Sequence, residues 1–211
     1  MKIFRGVFSP IQVNTYIITG NDTECIIIDC GCYGETEEKK LEEMLATLSL
    51  KPVMLLDTHC HLDHVFGNRF MLGRYGLRSW FHEGDKHNYL NAPKYSLMFG
   101  LSMEAPPEPE GYLVDGQEIT AAGLTLKVIH VPGHSPGGIA LYSATDRVVF
   151  TGDALFAGSI GRSDLPGGDH ELLLERILDR LFTLPPDTVV YPGHGPETAI
   201  GEEMAGNPFF L

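Results

Sequence analysis

The chain is short of several things, and each shortage excludes a class of protein. It has four cysteines, Cys25, Cys30, Cys32 and Cys60, in 211 residues. Cys30 and Cys32 flank a single glycine, too tight a spacing for an ordinary bridge. No disulfide framework is therefore expected, and a reducing compartment suits the chain. Positive charge is also scarce: 15 lysines and arginines stand against 28 aspartates and glutamates, a formal net charge of −13. A basic face able to neutralise phosphates is missing, so no nucleic-acid partner is expected, and the acid excess is read as solubility. Apolar runs are too short to cross a bilayer, and Met1-Lys2-Ile3-Phe4-Arg5 lacks the apolar stretch of a signal peptide. The expectation is a cytoplasmic protein with no membrane partner. There is no fixed-period repeat and no low-complexity tract.

What remains reads as one globular domain over residues 1–211, with 43% hydrophobic and 20% charged residues. Residues 2–8 and 12–19 alternate as paired strands around Ser9-Pro10. Cys25-Ile26-Ile27-Ile28 is a short apolar strand that ends at Asp29. Leu41, Met44, Leu45 and Leu48 recur at helical spacing and predict a helix over 36–48. Pro52 to Leu56 predicts a buried strand, followed by a helix near 66–73 and a strand near 78–82. Strands are expected at 124–131, 138–143, 147–151 and 188–191. Leu174, Ile177, Leu178 and Leu181 predict a helix over 170–183, with Asp169 as its N-cap. Residues 83–111 break the rhythm. Asn91-Ala92-Pro93 and Ala105-Pro106-Pro107-Glu108-Pro109 carry loop chemistry, and the segment is expected to be a loop-rich flap or a surface loop folded back on the body.

Chemistry concentrates at residues 59–64, His-Cys-His-Leu-Asp-His, where His59, His61, Asp63 and His64 fall within six positions. Three further candidates each follow a glycine: His134, Asp153 and His194. In an extended segment, side chains i and i+2 point the same way. His59 and His61 can then grip one ion while Cys60 points elsewhere, and Asp63 and His64 can reach a second. Imidazole and carboxylate donors suit zinc, iron or manganese rather than a soft thiolate site. Seven such ligands suffice for two divalent ions sharing one carboxylate. Asp63 and Asp153 are the candidate catalytic carboxylates. Each candidate ligand follows a strand or lies in a glycine turn, where open α/β folds place their sites.

In this order and context the residues resemble the metallo-β-lactamase superfamily, over nearly the whole chain. The resemblance implies an α/β protein of αββα sandwich architecture. It implies that His59, His61 and His134 bind one metal, that Asp63, His64 and His194 bind the other, and that Asp153 bridges them together with a hydroxide. It also implies that Asp29 holds a ligand histidine by its free N–H. Phe150-Thr151-Gly152-Asp153-Ala154-Leu155-Phe156 and Gly161-Arg162-Ser163-Asp164 look like the short bacterial members of the glyoxalase II-like branch. The implied activity is hydrolysis of a small thioester such as S-lactoylglutathione, with Arg162 binding a substrate carboxylate. Where that branch has a tyrosine two positions after the Lys or Arg, this chain has Asp164. Where it has Glu-Tyr after the last histidine, this chain has Gly195-Pro196. Only a short tail follows His194, so a C-terminal helical glutathione-binding domain is not expected. Persulfide dioxygenases share the Thr-His-Cys-His segment, and the corresponding iron site would use His59, His134 and Asp153. A metal-binding protein without catalysis is the third reading. His82, His87, His130 and His170 lack ligand spacing, Trp80 is expected in packing, and Phe209 and Phe210 are expected to dock the C-terminus.

Overall fold

A computed structural model describes residues 1–211. The first sheet takes β1 (Lys2–Phe8), β2 (Val13–Thr19), β3 (Glu24–Ile28), β4 (Lys51–Leu56), β5 (Ser79–His82) and β6 (Gly111–Leu113) in spatial order. It is antiparallel from β1 to β3 and parallel from β3 to β6. The second sheet contains β7 (Glu118–Ala121), β8 (Leu124–His130), β9 (Ile139–Ser143) and β10 (Val148–Gly152). A small ribbon of β11 (Leu155–Phe156) and β12 (Ser159–Ile160) follows, and β13 (Val189–Pro192) and β14 (Thr198–Ala199) complete the second sheet beyond β10.

Alternation along the strands builds the layers. On β2 and β3, Ile18, Ile26 and Ile28 point inward and meet Leu126, Val128, Leu141 and Phe150 of the facing sheet. Their neighbours Ile17 and Ile27 point outward and are covered by Leu41 and Leu45 of α1 (Glu35–Leu48). Because both faces are covered, β2 is buried at every position, the pattern of a strand between two layers. The second sheet has the same logic. Its outer residues Val149 and Val190 pack under Leu173 and Ile177. The result is the expected αββα sandwich.

Two short helices follow β4: α2 (Leu62–Val65) and α3 (Asn68–Tyr75). Residues 83–111, expected as loop-rich, contain α4 (Lys86–Met98), with Pro93 inside it. Tertiary burial decides this: Tyr89 and Ala92 pack against Cys60, Leu62, Val65 and Phe81, and that contact overrides weak local propensity. The expected helix over 170–183 begins as α5 (His170–Arg176) and continues as a π-helical turn, Ile177–Leu181. Asp169 caps it, its carboxylate accepting from Leu172 N at 3.0 Å. A last helix, α6 (Ile200–Gly206), lies in a stretch without a clear apolar period. Trp80 is half-buried against the inter-sheet core. Phe210 packs on Phe182, and Phe209, 45% exposed, lies edge-on to His170.

Candidate metal centre

All seven candidate ligands lie just beyond the C-terminal ends of four strands. His59, His61, Asp63 and His64 follow β4, His134 follows β8, Asp153 follows β10 and His194 follows β13. The fold brings them into three groups whose ligand atoms lie within 4.8 Å of one another: His59, His61 and His134; His59, His64 and Asp153; and Asp63, His64 and His194.

The first group is all imidazole. His134 Nε2 lies 2.8 Å from His61 Nδ1 and 3.2 Å from His59 Nε2. Ligand atoms around a tetrahedral ion with bonds of about 2.0 Å stand about 3.3 Å apart, so these nitrogens fit the edges of such a site. Burial, reinforced by the neighbouring imidazoles, pushes His59 well below its ordinary value and His61 down to about 3. Both rings are therefore neutral at pH 7, the form that ligates a metal.

The other two groups share His64 and carry acid. His194 Nε2 is 3.1 Å from Asp63 Oδ2 and 3.5 Å from Asp153 Oδ2. His64 Nε2 is 3.4 Å from Asp153 Oδ1 and 3.6 Å from Asp63 Oδ2. Burial opposes charge on His64, but Asp29, Asp153 and Asp63 outweigh it and hold the ring well above its ordinary value. Burial would raise Asp153 too, yet His64, His194 and His134 keep it well below the carboxylate range. This side of the site gathers two carboxylates around two imidazoles. His64 Nε2 and Asp153 Oδ1 are both buried without a hydrogen-bond partner, as metal-directed atoms would be. The donor set fits one divalent cation on the imidazole side and one on the acidic side.

The ring orientations are fixed from behind. The Arg162 carbonyl accepts from His134 Nδ1 at 2.6 Å, which leaves Nε2 bare. The Gln12 carbonyl takes His194 Nδ1 at 3.1 Å. Asp29 Oδ2 lies 2.9 Å from His64 Nδ1, and its two oxygens also accept from Thr58 N and Thr58 Oγ1 at 2.7 Å. Asp29 does this from a left-handed backbone position, φ 54°, one that Asp tolerates better than most residues.

Close approach explains two of the glycines. A Cβ on Gly193 would fall 2.1 Å from Asp153 Oδ1. One on Gly161 would fall 1.8 Å from the Asp153 carbonyl and 3.0 Å from His134 Nδ1.

Sequence reasoning missed three supports. Asp85 is buried and accepts from Cys60 N (2.7 Å), Ser135 Oγ (2.9 Å) and Gly137 N (2.6 Å), so it ties the His59–His64 loop to the His134 loop. Asn14 donates to the Pro192 and Gly195 carbonyls, and Tyr16 donates to Pro192, holding the His194 loop from the opposite sheet. No local pattern marks these residues, since their partners lie far along the chain. Cys60, by contrast, faces away from the ligands into the apolar cluster of Phe81 and Tyr89, as its alternation with His59 and His61 requires. His82 and His130 stack on one another at 4.0 Å, outside the ligand groups.

Above the ligands opens a cavity of about 430 Å³. His61, Asp63, His134, Asp153 and His194 reach into it, and its walls include Tyr95, Met98 and Phe99 from the end of α4. Arg162 stands at this cavity, but its guanidinium is closed on Asp164: Nε donates to Oδ1 at 2.7 Å and Nη2 to Oδ2 at 2.8 Å.

Residues 9–194 match the family model of the metallo-beta-lactamase superfamily. The chain is 36% identical over 203 residues to hydroxyacylglutathione hydrolase GloC of Haemophilus influenzae, covering 95% of this chain and 94% of that protein. Among solved structures, the BLEG-1 B3 metallo-beta-lactamase superposes with a TM-score of 0.91 at 35% identity, over 100% of both chains. TTHA1623 in a di-iron-bound form gives 0.87 at 40% identity, over 98% of this chain and 99% of that one. Fold, donor set and these relationships define the class, a metal-dependent hydrolase. The chain belongs to the metallo-beta-lactamase superfamily.

Proposed function

We propose that this protein hydrolyses small thioesters, S-lactoylglutathione among those tested, at a site for two divalent ions. The observation that carries this reading is the convergence of two distinct ligand groups beside one shared carboxylate. His59, His61 and His134 would hold one ion and Asp63, His64 and His194 the other. Asp153 is within 3.7 Å of His134 Nε2 and 3.5 Å of His194 Nε2, in reach of both. The second group also favours two ions over the single iron of a persulfide dioxygenase, for which His59, His134 and Asp153 would suffice. Zinc suits these donors, and iron and manganese accept them as well. Bound there, the ions would supply a water activated near neutral pH and a Lewis acid for the substrate carbonyl.

The remaining work falls to the chain. Arg162 O and Gln12 O hold two imidazoles in one tautomer and orientation, and the Asp29 carboxylate stands 2.9 Å behind His64. Asp63 and Asp153 stay ionised and face the cavity, where they can accept a hydrogen bond from a nucleophilic water and orient it. Tyr95, Met98 and Phe99 at the α4 end line the cavity that the reacting carbonyl would enter. A thioester suits this equipment because its leaving group is a thiolate: with a thiol pKa of about 8.5, departure needs little help from a protein acid. GloC carries the hydroxyacylglutathione hydrolase name at 36% identity, which supports the same choice.

The test is metal content of the purified protein measured together with turnover of S-lactoylglutathione. Two ions per chain and steady thioester hydrolysis are expected, with Asp153→Ala losing both metal and activity. Unchanged turnover in that variant would remove Asp153 from its bridging position. One iron per chain with oxygen uptake on a persulfide would replace hydrolysis by dioxygenation. Full metal loading with no turnover of thioesters, esters, lactones or a β-lactam would leave a binding protein.

A further inference from the structure

We propose that Asp164 closes Arg162 to anionic substrates, and that the site selects thioesters whose acyl and thiol portions are apolar and uncharged. This rests on the thioester reading above and narrows it. Arg162 is the only lysine or arginine among the residues lining the cavity. A substrate carboxylate entering there would use the Nε and Nη2 edge of the guanidinium, the geometry of a bidentate pair. Asp164 already occupies that edge, with both hydrogen bonds made. Arg162 in turn keeps the Asp164 carboxyl at about 2, so the internal carboxylate is present at any working pH. The pair is local, between residues i and i+2, and its charge sums to zero at the cavity mouth. The pair is exposed, and a second carboxylate arriving there meets one cation and one anion.

The rest of the wall points the same way. Ile11, Tyr95, Met98, Phe99, Phe156 and Leu165 supply its apolar part. Met98 is 78% and Phe99 51% exposed, so the end of α4 presents apolar surface that a bound ligand would cover. Covering such surface favours binding in proportion to its area, while moving an unpaired carboxylate against it opposes binding. A neutral thioester gains the first effect without the second.

The metal-loaded enzyme is assayed with S-lactoylglutathione, the lactoyl thioester of N-acetylcysteamine, which has no carboxylate, and the hexanoyl thioester of the same thiol. Wild type is expected to show its highest kcat/KM on the hexanoyl thioester. Asp164→Asn should raise the ratio of kcat/KM for the glutathione substrate over the neutral lactoyl substrate by about fivefold, the scale of one exposed ion pair. Arg162→Ala added to that variant should return the ratio to the wild-type level. Calorimetry with the non-hydrolysable thioethers S-hexylglutathione and S-hexyl-N-acetylcysteamine reads the same selectivity without chemistry: wild type should bind the neutral one more tightly, and Asp164→Asn should narrow the gap. The proposal is overturned if wild type favours the glutathione compounds, or if Asp164→Asn leaves both ratios unmoved. If no thioester is hydrolysed, the thioester reading fails by itself, and the calorimetric comparison still decides the role of Asp164.

Discussion

Replacing Asp85 by alanine tests whether the two ligand loops are held together by one buried carboxylate. Asp85 is wholly buried and takes three donors, Cys60 N, Ser135 Oγ and Gly137 N. Cys60 lies between His59 and His61, and Ser135 follows His134, so the tie acts on the three ligands of the imidazole group. Truncation leaves three buried donors without an acceptor, at about 1–3 kcal/mol each. The lower end applies, because burial already pushes the Asp85 carboxyl above its ordinary value, and its removal relieves that strain. A net loss of about 3 kcal/mol lowers Tm by roughly 6–12 °C in a domain of this size. Affinity for the metal of the imidazole group should fall about 10–100-fold, the scale for residues that orient ligands. Asp85→Asn should fall between, since its amide would set an N–H against that of Gly137. Thermal unfolding of the metal-free protein isolates the first effect, and chelator competition at a temperature where both variants are folded isolates the second. If Asp85→Ala kept wild-type Tm and held both ions as tightly, the loops would be positioned by something else.

Asp29→Asn keeps a residue tolerant of φ 54° but removes the charge behind His64. It should weaken metal binding about 10–100-fold in a chelator titration, and equal affinity would show that the charge of Asp29 does not matter. Gly193→Ala should displace the Asp153 carboxylate and lose metal while far-ultraviolet circular dichroism stays unchanged; retained stoichiometry would mean that the loop yields to the added methyl. Stripping the ions should lower Tm, because ions bound only to the folded state stabilise it by mass action, about 2.7 kcal/mol at a hundredfold excess over Kd. Adding zinc back should restore Tm, and a Tm indifferent to metal would argue against a preformed site.

Much of this protein is readable locally. Ligand types, their glycine neighbours and their spacing are visible without a structure because metal chemistry restricts the donors to few residue types. The strands and α1 are visible because burial on one or two faces imposes a period of 2 or 3.6. The same reasoning fails at α4, where Pro93 and a weak apolar period suggest a loop and packing of Tyr89 and Ala92 makes a helix. It also misses Asp85, Asn14 and Tyr16, whose partners lie on other strands.

By itself, then, the order of residues determined which side chains can ligate and which segments must be buried. Both follow from the chemistry of a side chain and its near neighbours. Tertiary structure alone decided that four strand ends meet and that Asp85 links two loops. Those outcomes depend on distances between groups remote in sequence, which only the packing of the two sheets sets.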